Sequence, residues 1–162
     1  MKPELKKALN KQINMELGSS YLYLSMAADF AAKNQAGFGR WMTVQSQEET
    51  GHGMKIFKYL LERGETVELE AIEAPQKTWA TPLEAFRAAY GHEQKVTASI
   101  GALIELAKSV KDHATEIFLQ WFVSEQVEEE ANADAIVKKL ELAKDHLGAL
   151  LMIDHELGQR GA

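Results

Sequence analysis

Four glutamates and one histidine lie at spacings that could gather divalent metal. Glu16 precedes Glu49 by 33 residues and His52 follows three later; Glu93 precedes Gln126 by 33 and Glu129 follows three later, so the pattern repeats at an offset of 77. Side chains at i and i+3 of a helix share a face, which lets Glu49 and His52 reach one point. Carboxylates with a single imidazole are hard donors that suit Fe(II), Mn(II) or Zn(II), and spacing alone does not choose among them. Helical bundles that bind two such ions use one Glu from each of two helices and a Glu-x-x-His pair from each of the other two. Glu49-Thr50-Gly51-His52 matches one such pair; the second is replaced by Gln126-Val127-Glu128-Glu129, a departure.

Helices must carry these residues, and the apolar spacing supplies them. We expect α1 over about 4–33, α2 over 38–64, α3 over 82–109, α4 over 112–143 and a short α5 over 145–158, with no strands. Apolar residues at helical spacing include Leu5, Leu9, Ile13, Leu17, Leu24 and Ala28 on α1, and Leu147, Leu150, Leu151 and Leu157 on α5. Asn34 to Gly37 forms a tight turn, so α1 and α2 run antiparallel. Gly64 can close α2. Thr81-Pro82-Leu83-Glu84 reads as an N-cap, a first-turn proline and a capping-box glutamate, and Asp112 as the N-cap of α4.

Residues 65–81, ETVELEAIEAPQKTWAT, are too long for a turn. A helix of α2's length is roughly 40 Å long, whereas an extended segment of this length reaches about 55 Å. The segment can therefore cross the bundle and start α3 at the same end as α2. The expected fold is all-α: two antiparallel pairs joined by one long crossover, in a single domain spanning 1–162.

On each long helix the core-facing series is interrupted near its middle by polar residues. The series are Leu5, Leu9, Gln12, Glu16, Ser20, Tyr23, Ala27, Phe30; then Phe38, Met42, Gln45, Glu49, His52, Ile56; then Phe86, Ala89, Glu93, Val96, Ile100, Leu103; and Phe122, Gln126, Glu129, Ala133, Ile136, Leu140. An ionised carboxylate in an apolar core is destabilising by several kcal/mol unless compensated, and neighbouring carboxylates repel. A multivalent cation removes both problems. Taken singly, His52 fits a satisfied core histidine, Glu16 or Glu93 a solvated face, and Glu128-Glu129-Glu130 an exposed charge run. The joint pattern and its symmetry favour metal. Tyr23 reads equally as a core aromatic, a hydrogen-bond donor behind the ligands or an electron source. His92, His113, His146 and His155 read as surface residues, and Trp41, Trp79 and Trp121 as packing.

Composition narrows the class further. The chain has no cysteine, which excludes disulfides, Cys-ligated metal and thiolate catalysis. A net charge of −6 disfavours sequence-independent nucleic-acid binding, which runs on basic residues. No apolar run approaches a membrane span, and the first residues, MKPELKKALNKQ, do not read as a signal peptide. These features fit a cytoplasmic protein.

At the stretches NMELGSSYLYLSMA, QEETGH, HEQKVTASI and FLQWFVSEQVEEE, and at the ending IDHELGQRGA, the chain resembles the bacterial and archaeal non-haem ferritins over essentially its full length. The resemblance implies a ferritin-like four-helix bundle with a short fifth helix, assembled as a homo-oligomeric hollow cage of 24 subunits around a ferric mineral. It implies ferroxidase activity, with Fe(II) and O2 or peroxide as substrates. One iron would take Glu16, Glu49 and His52, and a second Glu49, Glu93 and Glu129, with Gln126 beside the pair. A third position would use Glu48, Glu125, Glu128 and Glu129, and Tyr23 would hydrogen-bond near the centre. Bacterioferritin has a methionine directly after the α2 glutamate and a second Glu-x-x-His on α4; Thr50 and the 126–129 stretch stand there instead, so haem is not expected. Rubrerythrin, which needs an added cysteine-ligated iron domain, is disfavoured by the lack of cysteine. Lys111, Asp112, His113 and Glu116 are candidates for lining a channel between subunits. Two other functions stay open: a di-metal peroxidase or oxygenase on an organic substrate, and a non-enzymatic helical interaction module.

Overall fold

Local signals set the helix ends in the computed structural model, which describes residues 1–161; Ala162, the last residue of the IDHELGQRGA ending, lies outside the described residues. Thr81 Oγ1 accepts from the Glu84 N–H at 3.1 Å, and the Glu84 carboxylate reaches back to the Ala80 N–H at 3.1 Å, starting α3 at Pro82. Asn34 (φ 57°) and Gly64 (φ 71°) take the left-handed conformation that stops α1 and α2. The helices are α1 Pro3–Ala32, α2 Ala36–Glu62, α3 Pro82–Ser109, α4 His113–Ala143 and α5 Leu147–Leu157. Each end lies within two residues of its expected position. Among the described residues there is no strand, and no helix is long and apolar enough to cross a membrane.

Helix α1 packs chiefly on α2, α3 chiefly on α4, and α1 also meets α3. The crossover lies along α1, held by a ladder of its polar side chains. Lys6 donates to Thr66 Oγ1 at 2.5 Å, Asn10 Oδ1 accepts from the Glu68 N–H at 2.7 Å, and Asn14 donates to the Ala71 carbonyl at 3.3 Å. Further on, Ser25 donates to the Gln76 carbonyl at 2.7 Å and Asp29 Oδ2 accepts from the Trp79 N–H at 3.1 Å. The ladder explains why the polar Asn10 and Asp29 are buried on α1. Because it runs from one end of α1 to the other, α3 starts where α2 starts, as the length argument requires.

Asp112 caps α4 by accepting from the Thr115 N–H at 3.1 Å, and it also takes the two-pronged guanidinium of Arg63 at 3.0 and 2.9 Å. The hydrogen bonds from Arg63 hold its carboxyl down to about 2. Of the channel candidates, Asp112 is thus committed to joining the end of α2 to the start of α4, while His113 and Glu116 face each other at 3.5 Å.

The core falls into two apolar clusters. One gathers Met26, Phe30, Phe38, Trp41, Phe86 and Leu140; the other Leu5, Leu9, Ile56, Leu60, Ile100 and Phe122. The polar interruptions of the four stripes lie between them. Every residue of the α2, α3 and α4 series is buried. On α1, Ser19 is buried in place of Ser20, and Leu24 and Ala28 face outward. Tyr23 and Ala27 already carry the core line, and the next residue along a helix is turned about 100° away from it. Leu147 and Leu151 on α5 are likewise exposed.

Helix α5 folds back on the start of α2. The cap position Gln35 makes no side-chain bond to the helix; instead Asp154 Oδ1 accepts from the Phe38 N–H at 2.9 Å. The approach needs Gly37, where an added Cβ would stand 1.6 Å from the Asp154 carbonyl oxygen. No rotamer relieves an overlap with backbone. Gly37→Ala is therefore expected to lift α5 from α2 and lower stability by about 1–3 kcal/mol, seen as a reduced denaturation midpoint and faster proteolysis after residue 146; an unchanged midpoint would contradict this packing.

Candidate metal centre

The polar layer places Gln12, Glu16, Ser19 and Tyr23 from α1 against Gln45, Glu49 and His52 from α2, Glu93 from α3, and Gln126 and Glu129 from α4, all of them buried. Two glutamines precede two glutamates by one turn and bond to them. Gln12 Nε2 donates to Glu16 Oε1 at 2.8 Å, and Gln45 Nε2 donates to Glu49 Oε1 at 3.2 Å and to Glu129 Oε2 at 2.7 Å. Ser99 donates to Gln12 Oε1 at 2.5 Å, which fixes that amide's orientation. Glu93 accepts from the Tyr23 hydroxyl on one oxygen and from Gln126 Nε2 at 3.1 Å on the other.

Two carboxylate oxygens in this layer have no hydrogen-bond partner among the described residues: Glu16 Oε2 and Glu49 Oε2, both buried. His52 Nδ1 stands 3.6 Å from Glu49 Oε2. Glu16, Glu49 and His52 each offer a donor atom within 4.8 Å of the other two. Ionised, such orphaned buried oxygens are costly in a dry core, and a divalent cation beside the ring nitrogen would satisfy all three groups at once. The donor set fits a hard or borderline ion.

A second group of that size joins His52, Glu125 and Glu129. Of the remaining acidic candidates, Glu48 pairs with Arg160, and Glu128 is exposed. Glu93 stands apart from both groups, its oxygens taken up by Tyr23 and Gln126.

Electrostatics follow from burial. Glu16 is pushed up to about 8, first by burial and then by the charge of Glu49. Glu49 is raised well above the carboxylate range by burial and by the charges of Glu93 and Glu129. Burial also raises Glu93, and lifts Glu129 to about 7. Tyr23 is driven well above the ordinary phenol value by burial and the Glu93 charge, so it stays a proton donor to that carboxylate. Without cations the layer retains protons that arriving metal would displace.

Residues beyond the sequence candidates join the site. Gln12 and Gln45 are 33 residues apart, as Glu16 and Glu49 are, so the same repeat could have found them. No signal pointed to Arg160. His92, expected at the surface, is half-buried, 2.7 Å from Ser19 Oγ and edge-on to Tyr23. His146 caps α5, accepting from the Ala149 N–H at 3.3 Å. Trp79 and Trp41 are buried, whereas Trp121 is partly exposed with its ring edge-on to His52 at 5.4 Å.

Comparison with known proteins agrees with this architecture. The model of the Ferritin-like domain matches residues 6–143. The chain is 43% identical to a bacterial non-heme ferritin of Bacteroides fragilis over 157 residues, covering 97% of this chain and 98% of that protein. It is 38% identical to one of Staphylococcus aureus over 156 residues, 96% and 94% of the respective chains. The crystal structure of an open pore ferritin from the archaeon Archaeoglobus fulgidus superposes with a TM-score of 0.98 at 50% identity, covering 99% of each chain. With its crossover, its short fifth helix and its mid-bundle layer of carboxylates, this chain belongs to the ferritin family.

Proposed function

We propose that this chain stores iron, oxidising Fe(II) within each subunit and holding the ferric product inside a hollow homo-oligomeric cage of 24 copies. The observation that carries the reading is the pair of buried, unpartnered oxygens on Glu16 and Glu49 beside His52. Two Fe(II) ions enter as substrate: Glu16, Glu49 and His52 hold one, and Glu49, Glu93 and Glu129 the other, with Gln126 alongside. Tyr23 holds Glu93 in place by its hydroxyl. Each Fe(II) gives up one electron; O2 takes both with two protons and leaves as hydrogen peroxide, or peroxide takes them and leaves as two waters. The protein contributes geometry and negative charge, which favour the higher oxidation state, while the redox chemistry belongs to iron. Glu125, Glu128 and Glu129 from α4, with Glu48 from α2, form an outer position for a third ion on its way to the cavity. Fe(II) persists in a reducing cytoplasm, and there we place the reaction.

Stopped-flow oxidation after His52→Ala and after Glu93→Ala tests the site. Each is expected to slow the fast phase by at least about tenfold; undiminished fast oxidation in both rejects it. Native electrophoresis with iron staining tests the cage, which a monomeric or dimeric mass without iron would refute.

One feature supports a second reading. A groove between α3 and α4 is lined by Ile100, Gly101, Val123 and Val127 together with Gln126, and an oxygenase acting on an apolar substrate would need an apolar recess beside the site. Sustained turnover of an organic substrate without mineral would favour it.

A further inference from the structure

Arg160, in the stretch after α5, reaches the carboxylate layer from outside. Its Nη1 donates to Gln45 Oε1 at 2.9 Å and to the Trp41 carbonyl at 3.4 Å, its Nη2 pairs with Glu48, and its guanidinium carbon lies 4.5 Å from the centre of the Trp41 ring. Arg40 Nε donates to the Arg160 carbonyl at 3.3 Å, so the backbone is tied down as well as the side chain. A guanidinium can only donate. The Gln45 amide must therefore turn its oxygen toward Arg160 and its nitrogen inward, where that nitrogen meets Glu49 and Glu129. Glu48, meanwhile, is held by the other arm of the same fork.

We propose that Arg160 is a positioning residue for the metal centre and a resident counter-charge on its outer rim. Through Gln45 it orients the carboxylates of Glu49 and Glu129. By occupying Glu48 it keeps that carboxylate from joining Glu125 and Glu129 around a further cation. The proposal rests on the reading of this layer as an iron site. An ion reaching the outer position must compete with the guanidinium for Glu48, so the C-terminal arm sets how tightly the last ion is held. Lysine could keep the charge on Glu48 but lacks the second prong that reaches Gln45.

Co(II) is a redox-quiet probe, with binding followed by calorimetry and inner-site geometry by visible absorption of the assembled, iron-free protein. Arg160→Met is expected to tighten the weakest-held Co(II) by about tenfold, the scale of one charge-assisted hydrogen bond removed from Glu48. It is also expected to alter the absorption of the inner ions. A merely structural role for Arg160 would weaken binding. Adding Glu48→Gln to Arg160→Met should abolish the gain. Arg160→Lys should hold the outer ion within about threefold of the unaltered protein while showing the altered inner spectrum. Unchanged or weaker binding of the last ion in Arg160→Met overturns the proposal. Should that variant fail to assemble, Arg160→Lys alone carries the test: it keeps the charge but loses the prong to Gln45, and an unaltered inner spectrum overturns the proposal. If the unaltered protein and His52→Ala bind Co(II) identically, the metal reading itself fails and Arg160 with it; Co(II) binding weakened in His52→Ala with Arg160→Met unchanged rejects Arg160 alone.

Discussion

Glu49→Ala is expected to lower the initial rate of Fe(II) oxidation by at least about 100-fold, beyond the effect of any other single ligand. Glu49 is the carboxylate that both halves of the site feel. One of its oxygens is unpartnered toward Glu16 and His52, the other is held by Gln45, and the charges of Glu93 and Glu129 act on it from the far side. On the proposed assignment of two ions, its removal leaves neither with a complete set of donors. Glu49→Gln separates charge from shape, because the amide fills the same space and can still meet Gln45. Stopped-flow absorbance and Zn(II) calorimetry should fall together in both variants. A Glu49→Gln protein that oxidises Fe(II) at more than about a third of the normal rate would mean that the negative charge at this position is not what binds the ions.

The second large effect concerns stability in the metal-free protein. Glu16 and Glu129 are raised from an ordinary 4.5 to about 8 and about 7, and Glu49 and Glu93 are raised as well. A carboxyl whose folded-state value lies above its unfolded value binds its proton more tightly in the folded chain. Between those values the folded state carries more protons, so stability falls as pH rises. The contribution is fully present below about 4.5 and is lost as pH climbs through about 7 for Glu129 and about 8 for Glu16. The metal-free protein is therefore expected to lose on the order of a few kcal/mol between pH 5 and pH 8.5. Thermal unfolding at fixed protein concentration measures this, since assembly makes the midpoint depend on concentration. Glu16→Gln should flatten the slope and raise the midpoint at pH 8.5. Saturating Zn(II) should reverse the trend, because metal binds the deprotonated ligands. A metal-free midpoint that rises steadily from pH 5 to 8.5 would show that burial of these carboxyls does not govern the pH response.

Much of this was legible in the chain itself. The helix ends at Thr81, Asp112 and Gly64 follow from caps and turn residues acting over three or four positions. The burial of Glu49, His52, Glu93, Gln126 and Glu129 follows from their phase within apolar stripes, since a helix sets a fixed angle per residue. The error at Ser20, Leu24 and Ala28 is one of phase: each follows the last by four residues, a step that overshoots a whole turn by about 40° and so drifts off the buried line. Gln12 and Gln45 were visible as core-facing residues, but a neutral amide in a stripe does not announce that it holds a carboxylate.

What the sequence alone determined is the helical scaffold, the crossover's reach and the register that brings acidic side chains from four helices to one depth. These depend on local geometry, and local geometry is written in spacing. Only the tertiary structure decided that Asp154 caps α2, that Asn10 and Asp29 are buried to hold the crossover, and that Arg160 meets Glu48 and Gln45. Those contacts join residues 50 or more positions apart. They exist because the crossover lies along α1 and α5 docks on α2 through a glycine, and no periodicity encodes where a short terminal helix comes to rest.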